Sequence, residues 1–163
     1  MKHLTTPITD DDLESLNVGD QITVSGTIYT GRDAALPQLV DLIENDECPV
    51  DLNGSVIMHT AFSDAGIAPT TSSKVEIESS IPTLSENGVK IHIGKGMLSD
   101  DTANALDKNN SIFVITPPVA ALLTNKVLEK KCVLFENEGM EAMFELKVEK
   151  IPGIVAIHKG KKI

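Results

Sequence analysis

The sequence predicts a mixed α/β fold in layers around a partly parallel sheet, in a single domain spanning residues 1–163. Three observations carry this reading. Strand-like and helix-like stretches alternate through the middle of the chain. Period-two alternation of apolar and polar residues marks half-buried strands near both ends. Short turn signals, rather than a linker or a repeat, separate the elements.

Taken in order, His3 is expected to be disordered, and Asp10 to Asp12 to cap a short turn over "DLESL". From Gln21 to Tyr29, Ile22, Val24 and Ile28 alternate with Thr23, Ser25 and Thr27, which predicts a strand. After "TGRD", Leu36, Leu39, Val40 and Ile43 recur at helical spacing, with Asp33 as the expected cap and Pro37 inside the first turn. "GSVIMH" reads as a second strand. A hydroxyl-rich loop follows, then a helix carrying Val75, Ile77, Ile81 and Leu84, whose continuity Pro82 challenges.

"NGVKIHIGKG" predicts a strand with Val89, Ile91 and Ile93 on one face and Lys90 and His92 on the other. Ser99 or Asp100 is placed to cap a helix through Leu106. "SIFVIT" is a continuous apolar strand, and "PPVAALLTNKVLEK" opens on proline as helices do. Ala142, Phe144, Leu146 and Val148 alternate with Met143, Glu145, Lys147 and Glu149, which predicts a strand with one solvated face. "GIVAIH" reads as a separate buried strand, and "KGKKI" as a charged tail.

Composition excludes several classes of function. A net charge of -10 opposes a non-specific grip on nucleic acid, which needs Lys and Arg to displace counterions, and equally opposes an anionic membrane surface. Aromatic residues are 3% of the chain with no Trp, so stacking on bases or sugars is not expected. Cys48 and Cys132 are too few for a zinc or iron–sulfur site of their own and read as free buried thiols. No pair of histidines has metal-ligand spacing, and His59 and His92 read as packed or solvent-facing strand residues rather than ligands. The start lacks a signal-like apolar core and the longest apolar run is too short to span a bilayer, so a cytoplasmic protein is expected.

Three places share one geometry, a strand end followed by glycine or hydroxyl residues and a helix start. They are "TGRD", "APTTSSK" and "GKG", and they bring the cations Arg32, Lys74 and Lys95. In α/β sheets, ligands gather outside the carboxyl ends of strands, where helix N-termini offer backbone N–H groups to anions. Taken singly each is an ordinary surface turn, and "GKG" lacks the spacing of a phosphate-binding loop. Converging, they would form a small pocket for a carboxylate-rich molecule.

In their order, "SGTIYTGRDAA", "APTTSSK", "IGKG" and "MEAMFELKVEKIPGIVAI" resemble the β subunit of class I fumarate hydratases and related tartrate dehydratases, from about Leu16 to Gly160. The resemblance implies a swivelling β/β/α domain and reversible addition of water to a dicarboxylate double bond. It implies a [4Fe–4S] cluster held by a partner α subunit, with no metal ligands here, and a homodimer of this chain is compatible with such a heterotetramer. It gives Thr70 as the base that removes the C3 proton, and Arg32, Lys74 and Lys95 as carboxylate-binding cations. Leu36 stands where the family usually has histidine, Lys74 where it has arginine, and His158 where aspartate is common.

Overall fold

The computed structural model describes residues 1–63, 65–67, 74–95, 98–116 and 123–162, apart from the side chains of 74–77. The chain opens with a strand, β1 (Lys2–Thr5), and one turn of helix, α1 (Asp10–Glu14). Three strand–helix–strand crossovers follow. β2 (Gln21–Thr30) leads through α2 (Ala35–Glu44) to β3 (Ser55–Met58). β3 leads past a small hairpin, β4 (Phe62–Ser63) and β5 (Gly66–Ile67), and through α3 (Lys74–Glu86) to β6 (Val89–Gly94). α4 (Asp100–Lys108) then connects β6 to β7 (Ile112–Ile115). The strands β2, β3, β6 and β7 lie side by side in that order, each parallel to the next. Right-handed crossovers stepping in one direction put their helices on one face, and α3 indeed touches both α2 and α4.

The last quarter of the chain is antiparallel. β8 (Val127–Leu134), a 3₁₀ segment (Glu136–Glu141), the 16-residue β9 (Met143–His158) and a short β10 (Lys161–Lys162) complete it. β9 pairs with β8 and β7 along one edge and with β2 along the other, so β2, β3, β6, β7 and β9 close into a ring. Alternation along the parallel strands sorts the core into two layers. Val56, Met58, Ile91, Ile93, Ile112 and Val114 join Ile22, Val24, Ile28, Leu146 and Val155 in one aliphatic cluster. On the other face, Ile57 and Val89 pack with Leu36, Leu39 and Leu84, while Phe113 and Ile157 pack with Ile81, Ala103 and Leu106.

The predicted α/β class with a partly parallel sheet agrees with this architecture, and Ser99 caps α4 by accepting from Thr102 N at 3.3 Å. Several local expectations are corrected. His3 lies in β1, parallel to β2, with Nδ1 2.6 Å from Thr23 Oγ1. Thr9, not the acidic run, caps α1, in a capping box with Asp12. α2 begins after Ala34 without a side-chain cap, so Asp33 does not fill that role. Pro82 sits inside a continuous α3, where packing of Ile81 and Leu84 outweighs the lost backbone bond.

Val89 faces the helices rather than sharing the face of Ile91 and Ile93, because the β3–β6 register slips between Ser55 and Val56. The helix expected from Pro117 onward is overturned at its end: Val127 to Lys130 belong to β8, paired with β9. The two strands expected near the end are one strand, bent past Lys150 at φ +54°. Period two alone could not show that one strand serves two pairings.

Candidate functional site

Parallel register decides what stands together at the carboxyl ends. Thr30 is level with Met58, Met58 with Ile93, and Ile93 with Val114. Gly31 N donates to Met58 O at 3.1 Å and His59 N donates to Ile93 O at 2.8 Å, which carries the alignment one residue beyond β3. Gly31, His59 and Gly94 therefore stand level across the sheet, and Arg32 and Lys95 each follow one residue beyond that row. With strands about 4.8 Å apart, the Gly31 and Gly94 backbones are separated by about 10 Å. Two of the three predicted strand exits are thus brought near one another, with the end of β3 between them; the third, Ala68 to Lys74, lies outside the described residues except for the backbone of Lys74.

Arg32 is half-buried, and its Nε donates to Glu141 Oε2 at 2.5 Å. Glu141 closes the 3₁₀ segment, which also reaches α2 through Gln38 Nε2 and Glu138 Oε1 at 3.3 Å. Lys95 is exposed just past Gly94. Thr70 lies outside the described residues, as do Thr71 to Ser73. Lys74 opens α3, but its side chain is likewise outside them.

Beneath the row of exits, the helix face holds a chain of buried polar groups. His59 Nε2 lies 3.1 Å from His92 Nδ1, and His92 Nε2 lies 3.0 Å from Ser85 Oγ on α3. Both rings are fully buried and tilted by 42° to one another. Burial holds His59 down to about 4, and burial together with His59 holds His92 well below the ordinary histidine range. Both rings are therefore neutral at pH 7. Among the described residues, His59 Nδ1 and Thr30 Oγ1 are buried without a hydrogen-bond partner. Neither Glu141 nor this histidine pairing was singled out from sequence. The opposition of His92 to Ile91 and Ile93 was the available signal, but the register that sets Ile57 beside His92 is tertiary.

Of the cavities, an apolar one of about 370 Å³ lined by Ile22, Ile115, Pro152 and Ile154 holds none of the candidate residues. A cleft of about 460 Å³ over Phe62, Lys130, Lys131 and Phe144 borders the 3₁₀ segment that carries Glu141. His158 donates from Nε2 to Leu13 O at 2.8 Å, far along β9 from Phe144, the residue level with Thr30.

Fold and site together define an α/β protein with a cation-bearing row at the carboxyl ends of its parallel strands. The chain belongs to the Fumarase C-terminus family, whose match covers residues 2–163. It is 33% identical to the L(+)-tartrate dehydratase subunit beta of Escherichia coli strain K12, over 96% of this chain and 82% of that one. The same subunit of Shigella flexneri matches equally, at 33% over 96% and 82%. A protein of Geobacillus stearothermophilus, named provisionally as a class I fumarate hydratase, is 30% identical over 94% of this chain and 31% of its own length.

Proposed function

We propose that this chain is the β subunit of a hydro-lyase that interconverts an unsaturated dicarboxylate and its 2-hydroxy acid, as fumarate and L-malate, or dehydrates a related acid such as tartrate. The observation that carries the reading is the parallel register that sets the Arg32 and Lys95 exits two strands apart. A four-carbon dicarboxylate has its charges within reach of two cations so spaced. The names of the relatives support the same class of reaction.

Arg32 and Lys95, with Lys74 at the head of α3, bind the carboxylates. Glu141 holds the Arg32 guanidinium in one orientation. Thr70 removes the C3 proton, and its hydroxyl serves as a base only because neighbouring cations and N–H groups stabilise the alkoxide. The same cations stabilise charge developing on the adjacent carboxylate as the C–H bond breaks.

A [4Fe–4S] cluster does not fit this chain's own residues. Cys48 Sγ donates to Val50 O and Cys132 Sγ to Leu134 O, and among the described residues no three His, Cys, Asp or Glu could hold a metal. The cluster and its ligands are assigned to an α subunit, and no step is routed through them. Among the described residues, no helix is long and apolar enough to cross a membrane; a cytoplasmic heteromer completes the reading.

Anaerobic co-production with the α subunit, followed by ultraviolet absorbance of the double bond, tests it. Thr70→Ala is expected to abolish turnover while substrate affinity stays nearly intact, and full activity in that variant would remove Thr70 from the role. Lys95→Met is expected to weaken both binding and turnover. A second reading, a carboxylate-binding module without turnover, is favoured by the engagement of Arg32 with Glu141. It predicts acid binding and no reaction in a complete, cluster-loaded complex.

A further inference from the structure

The histidine chain lies directly under the candidate site and has no role in the reading above. His59 stands in the row between Gly31 and Gly94, the residues just before Arg32 and Lys95. Its backbone is tied to β6 through Ile93 O at 2.8 Å, and a side chain at Gly94 would meet Phe113 at 3.2 Å and His59 Cβ at 3.8 Å. His59 and Phe113 therefore wall in the residue on which Lys95 turns. From below, His92 and Ser85 connect His59 to α3, the helix that Lys74 opens.

The chain has two neutral proton arrangements. In one, His59 Nε2–H donates to His92 Nδ1 and His92 Nε2–H donates to Ser85 Oγ, leaving His59 Nδ1 as an acceptor. In the other, Ser85 donates to His92 and His92 to His59, leaving His59 Nδ1–H as a donor. A serine hydroxyl at the far end is compatible with both, since it donates and accepts. A fully buried nitrogen with no partner is costly, so the open end of the chain calls for one uncharged hydroxyl or water. Moving a proton through the chain to Ser85 would leave a buried charge, so the chain suits orientation rather than proton transport.

We propose that His59 is a positioning residue of the candidate site. Through His92 and Ser85 it ties the row of strand exits bearing Arg32 and Lys95 to α3, and its Nδ1 holds one hydroxyl or water beneath the substrate. This rests on the hydro-lyase reading for its functional consequence, though not for the tether itself.

The test begins with this 163-residue chain, labelled with ¹⁵N, at neutral pH. Ser85→Ala cuts the far end of the tether while leaving both histidines in place. It is expected to shift the His59 ring nitrogens and the Gly94 and Lys95 amides, with the rest of the spectrum preserved. Unmoved His59, Gly94 and Lys95 signals would overturn the tether. In the assembled enzyme, Ser85→Ala is expected to raise KM for the acid by about fivefold while kcat stays within about twofold, the scale of one lost hydrogen bond. His59→Asn, which keeps a donor and an acceptor near the Nδ1 position, should recover most of what His59→Phe loses. Equal behaviour of those two variants would overturn the hydrogen-bonding role. If the wild-type complex turns over no dicarboxylate, the hydro-lyase reading fails, and the spectra alone still decide whether the tether exists.

Discussion

The two faces of the parallel strands are built on opposite rules. Inside the ring, Val56, Met58, Ile91, Ile93, Ile112 and Val114 meet aliphatic side chains from β2 and β9. On the helix face, the same strands carry His59 and His92, joined to Ser85, among the apolar contacts of α2, α3 and α4. Burial without polar atoms is non-directional and tolerates substitutions of equal volume. A buried hydrogen-bonded chain is directional, and each member depends on the geometry of the next. Apolar packing therefore serves both faces, and the helix face adds a directional connection from the end of β3 through β6 to α3.

The largest expected effect breaks the aliphatic face. Ile28→Ala empties a fully buried position in the ring and should cost roughly 2–5 kcal/mol, lowering Tm by roughly 5–15 °C in calorimetry. Acid attacks the other face. His59 is held from 6.5 down to about 4 by burial, so between those values the unfolded chain binds more protons than the folded one. Stability should therefore fall as pH drops from about 6.5 toward 4, and His92, lowered in the same direction, adds to the slope. Urea unfolding across that range measures it, and a variant lacking both rings should show a shallower dependence.

Gly153→Ala probes packing on the ring side of β9. Its Cβ would come within 2.4 Å of Val114 Cγ1, and an expected loss of about 1–3 kcal/mol would appear in thermal unfolding. Thr9→Ala removes the α1 cap and should cost about 1 kcal/mol. The smallest effect is expected for Glu129→Gln, whose partner Lys147 lies 3.6 Å away across an exposed pair. Less than about 0.5 kcal/mol should be lost, and a larger loss would show that β8 contributes more than its exposure suggests.

Much of the fold was legible because periodicity records which side of an element is buried. The β2 alternation, the α2 stripe of Leu36 and Leu39, and the Ser99 cap all reappear as read. Failures came where a residue answers to a distant partner. His3 is ordered by pairing with β2, and "VLEK" becomes strand because β9 offers it an edge. Of the site, the sequence order of the motifs marked Arg32 and Lys95. Nothing local marked Glu141 as the partner of Arg32, because 109 residues separate them.

By itself the sequence determined the class of fold, the family, and the cations and hydroxyls available at strand ends, since composition, period and motif order are properties of the chain alone. Only the tertiary structure decided that the exits of β2, β3 and β6 stand level and that β9 closes the ring. It alone joined His59, His92 and Ser85 into one buried chain. The physical reason is register: a shift of one residue reverses every side chain on a strand, and register is set between strands, where no single stretch of sequence records it.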